Sequence, residues 1–419
     1  MPSENGLPPG WRKLRIRDVA DTYSGGTPDR ANETYFGGTI PWVKSGEVNR
    51  YKVNETEEFL TDEGLKSSSA KWVPKDSVLA AMYGATAGKF AWLSIEATIN
   101  QAVLAIRAKE ALAENKFLFH LLHWMGPQLL SNLQGSGQPN LNGELINSVE
   151  VLIPPLDEQR KLITVFDAID DATEHTRTVI GQTRKVKTAL LQDLLTNGLP
   201  GRHKSFKSVK HLGRLPKCWT VSRLGDLTPE AEGICYGVVQ PGEEYRAGVP
   251  LVRVCDIENG ELDPTKIKRI DPSIASGYKR SELRGGELLV TLVGTIGRCT
   301  IAPPFSAGFN IARAVAKVQL NSTINSRFVM HFLNTIANVA LVGEAYQSAR
   351  KTLNLAELSQ FPIALPDRTE QDEIVQAADA VEFREKSEND RLTGLLHAKA
   401  ALSQNLLTGR IRVPTKGGE

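Results

Sequence analysis

Cysteine, histidine and net charge are all in short supply. The 419 residues hold four cysteines and seven histidines, and 50 Lys and Arg stand against 48 Asp and Glu, a net charge of +2. The cysteines, Cys218, Cys235, Cys255 and Cys299, all fall in the second half, and none forms a Cys-x-x-Cys pair. That spacing fits neither a disulfide framework nor a thiolate metal site, and it predicts free thiols in the cytoplasm. His120 and His123 share one predicted helix, with no acidic or cysteine ligand accompanying them. They read as surface or satisfied histidines, so no metal and no cofactor are expected. No apolar stretch nears the ~18 residues of a membrane span. Met1–Trp11 is polar and Pro-rich, unlike a secretory leader. A cytoplasmic chain without membrane contact is expected. Balanced charge leaves nucleic acid open, because a neutral total can conceal a basic face.

Catalytic signatures are missing as well. There is no nucleophile elbow, HExxH, GxGxxG or methyl-donor loop. Gly84-Ala85-Thr86-Ala87-Gly88-Lys89 is one spacer short of a phosphate loop, and Phe90 follows where Ser or Thr would hold Mg²⁺. Ala302-Pro303-Pro304-Phe305 shares only the tail of the adenine-methyltransferase motif. Ala302 cannot accept hydrogen bonds from a target amino group, so the stretch reads as a turn. Asp170-Asp171 and Glu57-Glu58 read as solvated charges rather than paired catalytic carboxylates. No catalytic residue is expected.

What is present is periodicity. From Pro154 to Gly198, Leu162, Ile169, Thr176, Thr183 and Leu190 return every seven residues. Val165, Ala172, Val179 and Val186 follow three places on, and Phe166, Ile180 and Leu194 add a third line. This is a helix with a stripe wide enough to pack on another helix. Asp157 is a candidate N-cap, and Gly198 with Pro200 is a stop. About 40 residues at ~1.5 Å each give a rod of roughly 60 Å. Pro366–Gly409 repeats the pattern through Ile374, Val381, Glu388, Leu395 and Leu402, with Thr369 and Asp372 as a capping-box-like start. Glu158-Gln159 matches Glu370-Gln371, and Leu194-Leu195-Thr196 matches Leu406-Leu407-Thr408. The expectation is an intramolecular antiparallel coiled coil through Leu162, Ile169, Val179 and Leu190 on one helix and Ile374, Val381, Leu395 and Leu402 on the other. Two unrelated amphipathic helices, each packed on its own domain, are the alternative.

The repetition extends to the whole chain. Leu7–Trp11 matches Leu215–Trp219, Pro41–Lys44 matches Pro250–Arg253, Gly84 matches Gly294, Asn100 matches Asn310, and Phe117 and His120 match Phe328 and His331. The offset creeps upward along the chain, as in a duplication with varied loops. Each repeat is a globular part of about 150 residues followed by a long helix. Val78–Tyr83, Ala91–Ile95 and Ala102–Ile106 favour strand, and Leu288–Val293, Thr300–Ala302 and Val315–Leu320 echo them. Lys116–Leu130 and Arg327–Val342 read as helices. The fold class is therefore α+β, strand-rich and duplicated, with pseudo-twofold symmetry.

Two recurring loops could touch nucleic acid. Gly84–Lys89 and Gly294–Arg298 are Gly turns between strands, each ending in a cation. They are plain hairpin turns, or they bring backbone and charge to a phosphate. Gln134–Asn142 and Tyr346–Asn354 are polar loops that precede the strand into each long helix. They are solvated loops, or their amides and cations read base edges.

Tandem repeats with a Pro-x-x-x-Glu-Gln helix start (Pro154–Gln159, Pro366–Gln371) and a Leu-Leu-Thr stop closed by glycine (Leu194–Gly198, Leu406–Gly409) resemble the specificity subunit of type I restriction–modification enzymes. Leu141-Asn142 and Leu353-Asn354 add to the resemblance, which covers essentially the whole chain. It implies target recognition domains at 1–153 and 199–365, spacer helices at 154–198 and 366–410, and a tail at 411–419. Each domain would read half of a split, asymmetric site on double-stranded DNA. The helices would set the spacer and dock methyltransferase subunits, expected to be two, with restriction subunits joining through the complex. DNA contacts are expected from Lys44, Thr86, Lys89, Gln138 and Asn140 in the first repeat, and from Arg253, Thr295, Arg298, Gln347, Arg350 and Lys351 in the second. A coiled-coil scaffold without DNA readout and a fused methyltransferase are the other classes considered.

Overall fold

The computed structural model describes residues 7–131, 141–230, 233–258, 260–337 and 352–414. The chain divides into two compact units, Met1–Arg177 with Asp390–Glu419, and Thr178–Asn389. Each unit therefore takes part of both long helices. No helix among the described residues is long and apolar enough to cross a membrane.

The first unit is built on two sheets. One runs in the order Ala20–Ser24, Val103–Ala108, Ser77–Ala81, Phe90–Leu93, Lys52–Val53. The other runs Glu58–Leu60, Phe36–Val43, Ala97–Ile99, Lys71–Val73. Arg12–Arg15 pairs antiparallel with Glu150–Ile153, so the chain enters and leaves the globular part side by side. The second unit echoes this. Ile234–Tyr236, Val315–Val318, Leu288–Thr291 and Cys299–Ile301 form one sheet, Lys268–Ile270, Val249–Val252 and Asn310–Ile311 another, and Thr220–Arg223 pairs with Pro362–Leu365. The expected strands lie within two or three residues of the observed ones. A helix packs on each principal sheet: Asn115–Ser131 in the first unit, and Ser326–Phe332 continuing as a π-helix Leu333–Ala337 in the second.

The central helix spans Leu156–Asn197. Pro155 precedes it, and its carbonyl accepts the amides of Glu158 (2.9 Å) and Gln159 (3.0 Å). Asp157 is thus in the first turn, where its charge suits the helix dipole, and is not the cap. Gly198, at φ +72°, ends the helix. The C-terminal helix spans Arg368–Leu406. Its cap is Asp367, whose Oδ1 accepts the Glu370 amide at 2.9 Å, rather than a Thr369–Asp372 box. Asp372 instead turns to Arg368 and Asn325.

The buried stripe of the central helix alternates steps of four and three: Leu162, Phe166, Ile169 (half-buried), Thr173, Thr176 and Ile180. The second line is therefore Phe166, Thr173, Ile180, Lys187 and Leu194. Val165, Ala172 and Val179 are half-buried beside it, and of the expected line only Val186, 57% exposed, turns away. The apolar alphabet misleads here because Thr173 and Lys187 occupy inward positions. On the C-terminal helix Ile374 is buried, and Val381, Leu395 and Leu402 are half-buried.

Within the first unit, Leu162 and Phe166 share one core with Leu406 and Leu407, Lys399 pairs with Asp170, and Arg412 pairs with Glu158 at 2.7 Å. Within the second, Leu191, Leu194 and Leu195 share a core with Ile374, Val375 and Ala378. There Arg184 pairs with Glu385 (2.7 Å) and Lys187 with Glu382 (3.0 Å). In both units partner numbers fall as the central helix rises, so the segments run antiparallel inside each unit. Burying a Leu or Phe contributes roughly 1.5–3 kcal/mol, whereas a pair with an exposed partner, such as Arg184–Glu385, gives under about 1 kcal/mol. Core burial therefore supplies much of the stability, and the ion pairs mark the register. Residues 411–414 are no loose tail: Val413 packs on the first core and Lys161 donates to the Pro414 carbonyl.

Candidate nucleic-acid interface

Each principal sheet carries one hairpin with the same closing geometry. Gly84 and Gly88 lie at φ +75° and +74°, and Gly294 and Gly297 at +75° and +79°. This is left-handed backbone that a side chain would strain. Gly88 N–H donates to Ala81 O at 3.0 Å and Ala81 N–H to Lys89 O at 3.0 Å. In the second unit Gly297 donates to Thr291 and Thr291 to Arg298, both at 2.9 Å. Ala87 and Ile296 point inward and are buried. What faces out is Tyr83 and Lys89 in one unit and Val293, Thr295 and Arg298 in the other, while Thr86 is half-buried. Arg298 also reaches the Ile257 carbonyl at 3.3 Å.

The polar loops return to these hairpins. Leu141 N–H donates to Met82 O (2.9 Å) and Leu353 N–H to Leu292 O (3.0 Å). Asn142 and Asn354 then cap the short helices Gly143–Ser148 and Leu355–Gln360. The repeated Leu-Asn pair therefore ties the end of each polar loop to a hairpin. Gln138, Asn140, Gln347, Arg350 and Lys351 themselves lie outside the described residues.

Lys44 and Arg253 are held within their own domains. Lys44 donates to Glu58 (2.7 Å) and lies 3.5 Å from Glu57. Hydrogen bonding to Glu58 holds its ammonium above the usual lysine range. Arg253 grips Asp256 at 2.9 Å and the Lys266 carbonyl at 2.8 Å. Glu57 and Glu58 are thus ion-paired, Glu58 also to Arg30, and are not simply solvated. In the first unit the turn Ser45–Asn49, which follows Lys44, packs beside Gly84–Thr86.

The Glu-Gln pair at each helix start explains itself. Glu158 is fully buried and accepts Trp11 Nε1–H (3.1 Å) and the Arg412 guanidinium (3.1 and 2.7 Å). Gln159 accepts the Glu114 amide (2.9 Å) and donates to the carbonyls of Leu112 and Pro154. In the second unit Glu370 accepts Trp219 Nε1–H at 3.3 Å, and Gln371 accepts the Asn325 amide at 2.9 Å. A buried carboxylate and a buried amide thus weld each globular part to the first turn of its helix.

A second repeated cluster brings together residues that the sequence leaves far apart. His120 Nε2 lies 3.0 Å from Asp167, its Nδ1 lies 3.7 Å from Asp170, and Asp170 is held by Tyr51 and Lys399. His331 lies beside Asp379 and Glu382, which Arg327 and Lys187 hold. The acids were not visible as partners of His120 because they come from a different helix. The repeat of His120 as His331 was the available signal. In each cluster one histidine nitrogen and two carboxylate oxygens lie within 4.8 Å of one another, and ammonium or guanidinium groups also hold the acids. Asp170 is a bound joint residue rather than a solvated charge.

Burial lowers the proton affinity of His120, His123 and His331 below the usual histidine range. The unfolded chain then takes up protons near pH 6.5 that the folded chain resists. Stability is full above about pH 6.5 and falls below it, by up to about 1.4 kcal/mol per pH unit for each histidine. Urea unfolding at stepped pH should show this slope, and His120→Asn should reduce it. A flat profile between pH 7 and 5 would contradict the prediction.

Comparison with known proteins agrees with this architecture. The family of the type I restriction modification DNA specificity domain matches residues 8–182 and 216–395. The specificity subunit of type I restriction enzyme EcoBI from Escherichia coli is 29% identical over 352 residues, covering 81% of this chain and 74% of its own. The MjaVIII specificity subunit from Methanocaldococcus jannaschii is 21% identical over 426 residues, covering 97% and 94%. In fold, a chain from a structure of complex assembly and conformational transition of the type I R-M system superposes with a TM-score of 0.60 at 19% identity, covering 97% of this chain and 99% of that one. The type I S subunit from M. genitalium gives 0.58 at 12% identity, with 99% of each covered. With both repeats matched along most of their length, the chain belongs to the specificity subunits of type I restriction–modification systems, as a DNA-recognition subunit and not a catalytic one.

Proposed function

We propose that each globular domain reads one half of a split, asymmetric site on double-stranded DNA. The central and C-terminal helices pair as an antiparallel coiled coil that sets the spacer and docks methyltransferase subunits, two per chain. Restriction subunits join through that complex, in the cytoplasm. Domains 1–153 and 199–365 are the readers, and 154–198 and 366–410 the spacer. The observation that carries this reading is the paired hairpin, which in each unit presents an exposed cation beside the returning end of a polar loop.

In this reading Lys89 and Arg298 approach the DNA at the hairpin tips, with Thr86 and Thr295 beside them. Gln138, Asn140, Gln347, Arg350 and Lys351 supply the loop contacts. Lys44 and Arg253 shape the turns behind. Methyltransferase subunits can supply much of the phosphate contact, which fits a specificity chain of small net charge.

Lys89→Ala and Arg298→Ala are each expected to weaken sequence-dependent DNA binding by the assembled complex. A base contact would cost about 1–3 kcal/mol and relax one position of one half-site. A phosphate contact would weaken all sequences evenly and reduce the salt slope by about one. Binding titrations at several salt concentrations separate the two, and unchanged binding in both variants would remove the hairpins from the interface.

A further inference from the structure

The joint between reader and helix differs between the two units. In the first, Gly10 precedes Trp11, and the Arg412 guanidinium fills the space beside Glu158. In the second, Cys218 precedes Trp219, and an imidazole joins the more distant Arg202 guanidinium (3.9 Å) beside the carboxylate: His203 Nε2 lies 2.7 Å from Glu370 Oε1. The other ring nitrogen, Nδ1, lies 3.2 Å from Cys218 Sγ. Thiol, imidazole and carboxylate are in line, in the order nucleophile, base and orienting group. The Trp–Glu joint is made in the first unit without thiol or imidazole, so their presence in the second is not explained by the joint.

The arrangement is built rather than incidental. Glu370 is buried, and its Oε1 also accepts the Leu199 amide at 3.1 Å. Only 7% of the His203 side chain is exposed, and its ring stands perpendicular to Trp219 with centroids 6.2 Å apart. A Cβ on Gly198 would fall 2.4 Å from His203 Cδ2 and 2.7 Å from Glu370 Oε1, so the helix-ending glycine leaves the space that this pair fills. The carboxylate keeps the ring proton on Nε2 and leaves Nδ1 free to accept. Cys218 is exposed at the end of this line. The other cysteines differ. Cys235 and Cys299 are buried, and burial pushes both thiols up. Cys255 is exposed, but its neighbour at 3.6 Å is the Asp256 carboxylate, which Arg253 already holds.

We propose that Cys218 is a reactive thiol that undergoes exchange with low-molecular-weight disulfides, with His203 as its base and Glu370 as the group that positions the imidazole. The Cys218 sulfur forms a bond to one sulfur of the disulfide, and the disulfide's own S–S bond breaks. The proton passes from Cys218 to His203 Nδ1 and then to the departing thiolate. Cys218 is oxidised to a mixed disulfide as the reagent is reduced to one thiol, and a small dithiol reverses the step.

The test uses the full chain with glutathione disulfide at neutral pH, read by intact mass and peptide mapping over time. Cys218 should form the mixed disulfide at least about tenfold faster than Cys255, and His203→Gln should bring it down to the Cys255 rate. Equal rates at the two exposed cysteines overturn the proposal, and so does an unchanged Cys218 rate in His203→Gln. If that variant loosens the fold, Cys235 and Cys299 also react. The wild-type ratio then decides, and a ratio near one overturns the proposal.

Discussion

Replacing residues 1–153 with the corresponding segment of another specificity subunit is expected to rewrite one half of the methylated sequence and leave the other half untouched. The reader's attachments define where the exchange can be made. Its outer strand Arg12–Arg15 pairs with Glu150–Ile153, so both ends of the segment lie together. Trp11 bonds Glu158, and Gln159 holds the Leu112–Glu114 stretch. A donor with a Trp at the equivalent place and a loop of the same length before its domain helix keeps the joint intact. Each altered base pair costs about 1–3 kcal/mol. Three changed positions would therefore lower affinity for the old site by roughly a hundredfold to a millionfold. Whole-genome modification sequencing of cells carrying the hybrid reads the outcome. A change in both half-sites would show that the domains do not read independently.

Lengthening both long helices by one heptad is expected to widen the gap between half-sites and alter neither of them. The inward positions follow four-three steps on both helices: Leu162, Phe166, Ile169, Thr173, Thr176 and Ile180 on one, Ile374, Ala378, Val381, Glu385 and Glu388 on the other. Seven residues restore that phase. Insertions after Arg177 and after Asn389 leave the contacts inside each unit as they are. Seven residues add at most about 10.5 Å, which is at most about three base pairs at ~3.4 Å each. Inserting into one helix alone should instead destabilise the protein, because the added turns find no matching partner. An active enzyme with both insertions and an unchanged gap would mean that the helices do not set the distance.

Much of this architecture could be read from the residues, and the failures have physical causes. The duplication and the helix ends were legible because glycine, proline and the Glu-Gln pair recur in order. The inward face of the central helix was legible only in part. Thr173 and Lys187 face inward, and no hydrophobic alphabet marks them. Glu158 and Gln159 were visible as a signature but not as a joint, since their partners lie as far off as Trp11 and Arg412. The same holds for His120, whose carboxylates sit on another helix. Lys44, expected as a DNA contact, binds Glu58 fourteen residues away, a pairing that the sequence does not mark. Loop contacts with DNA depend on side-chain placement that composition alone does not fix.

The fold-back of residues 411–414 onto the first turn of the central helix bears on the order in which the protein is finished. Glu158 is sealed by Arg412, 254 residues later, and Asp170 by Lys399, 229 residues later. The globular part of the first unit is made well before Leu406 and Leu407, yet its core includes both. The second unit needs only a contiguous stretch, Thr178–Asn389, and can close while synthesis continues. The first closes only once Asp390 and the residues after it have been made, across separations of 229 and 254 residues, where closure is slow. Losing the stretch from Leu406 to Arg412 would therefore leave the first unit unfinished while Thr178–Asn389 stands complete.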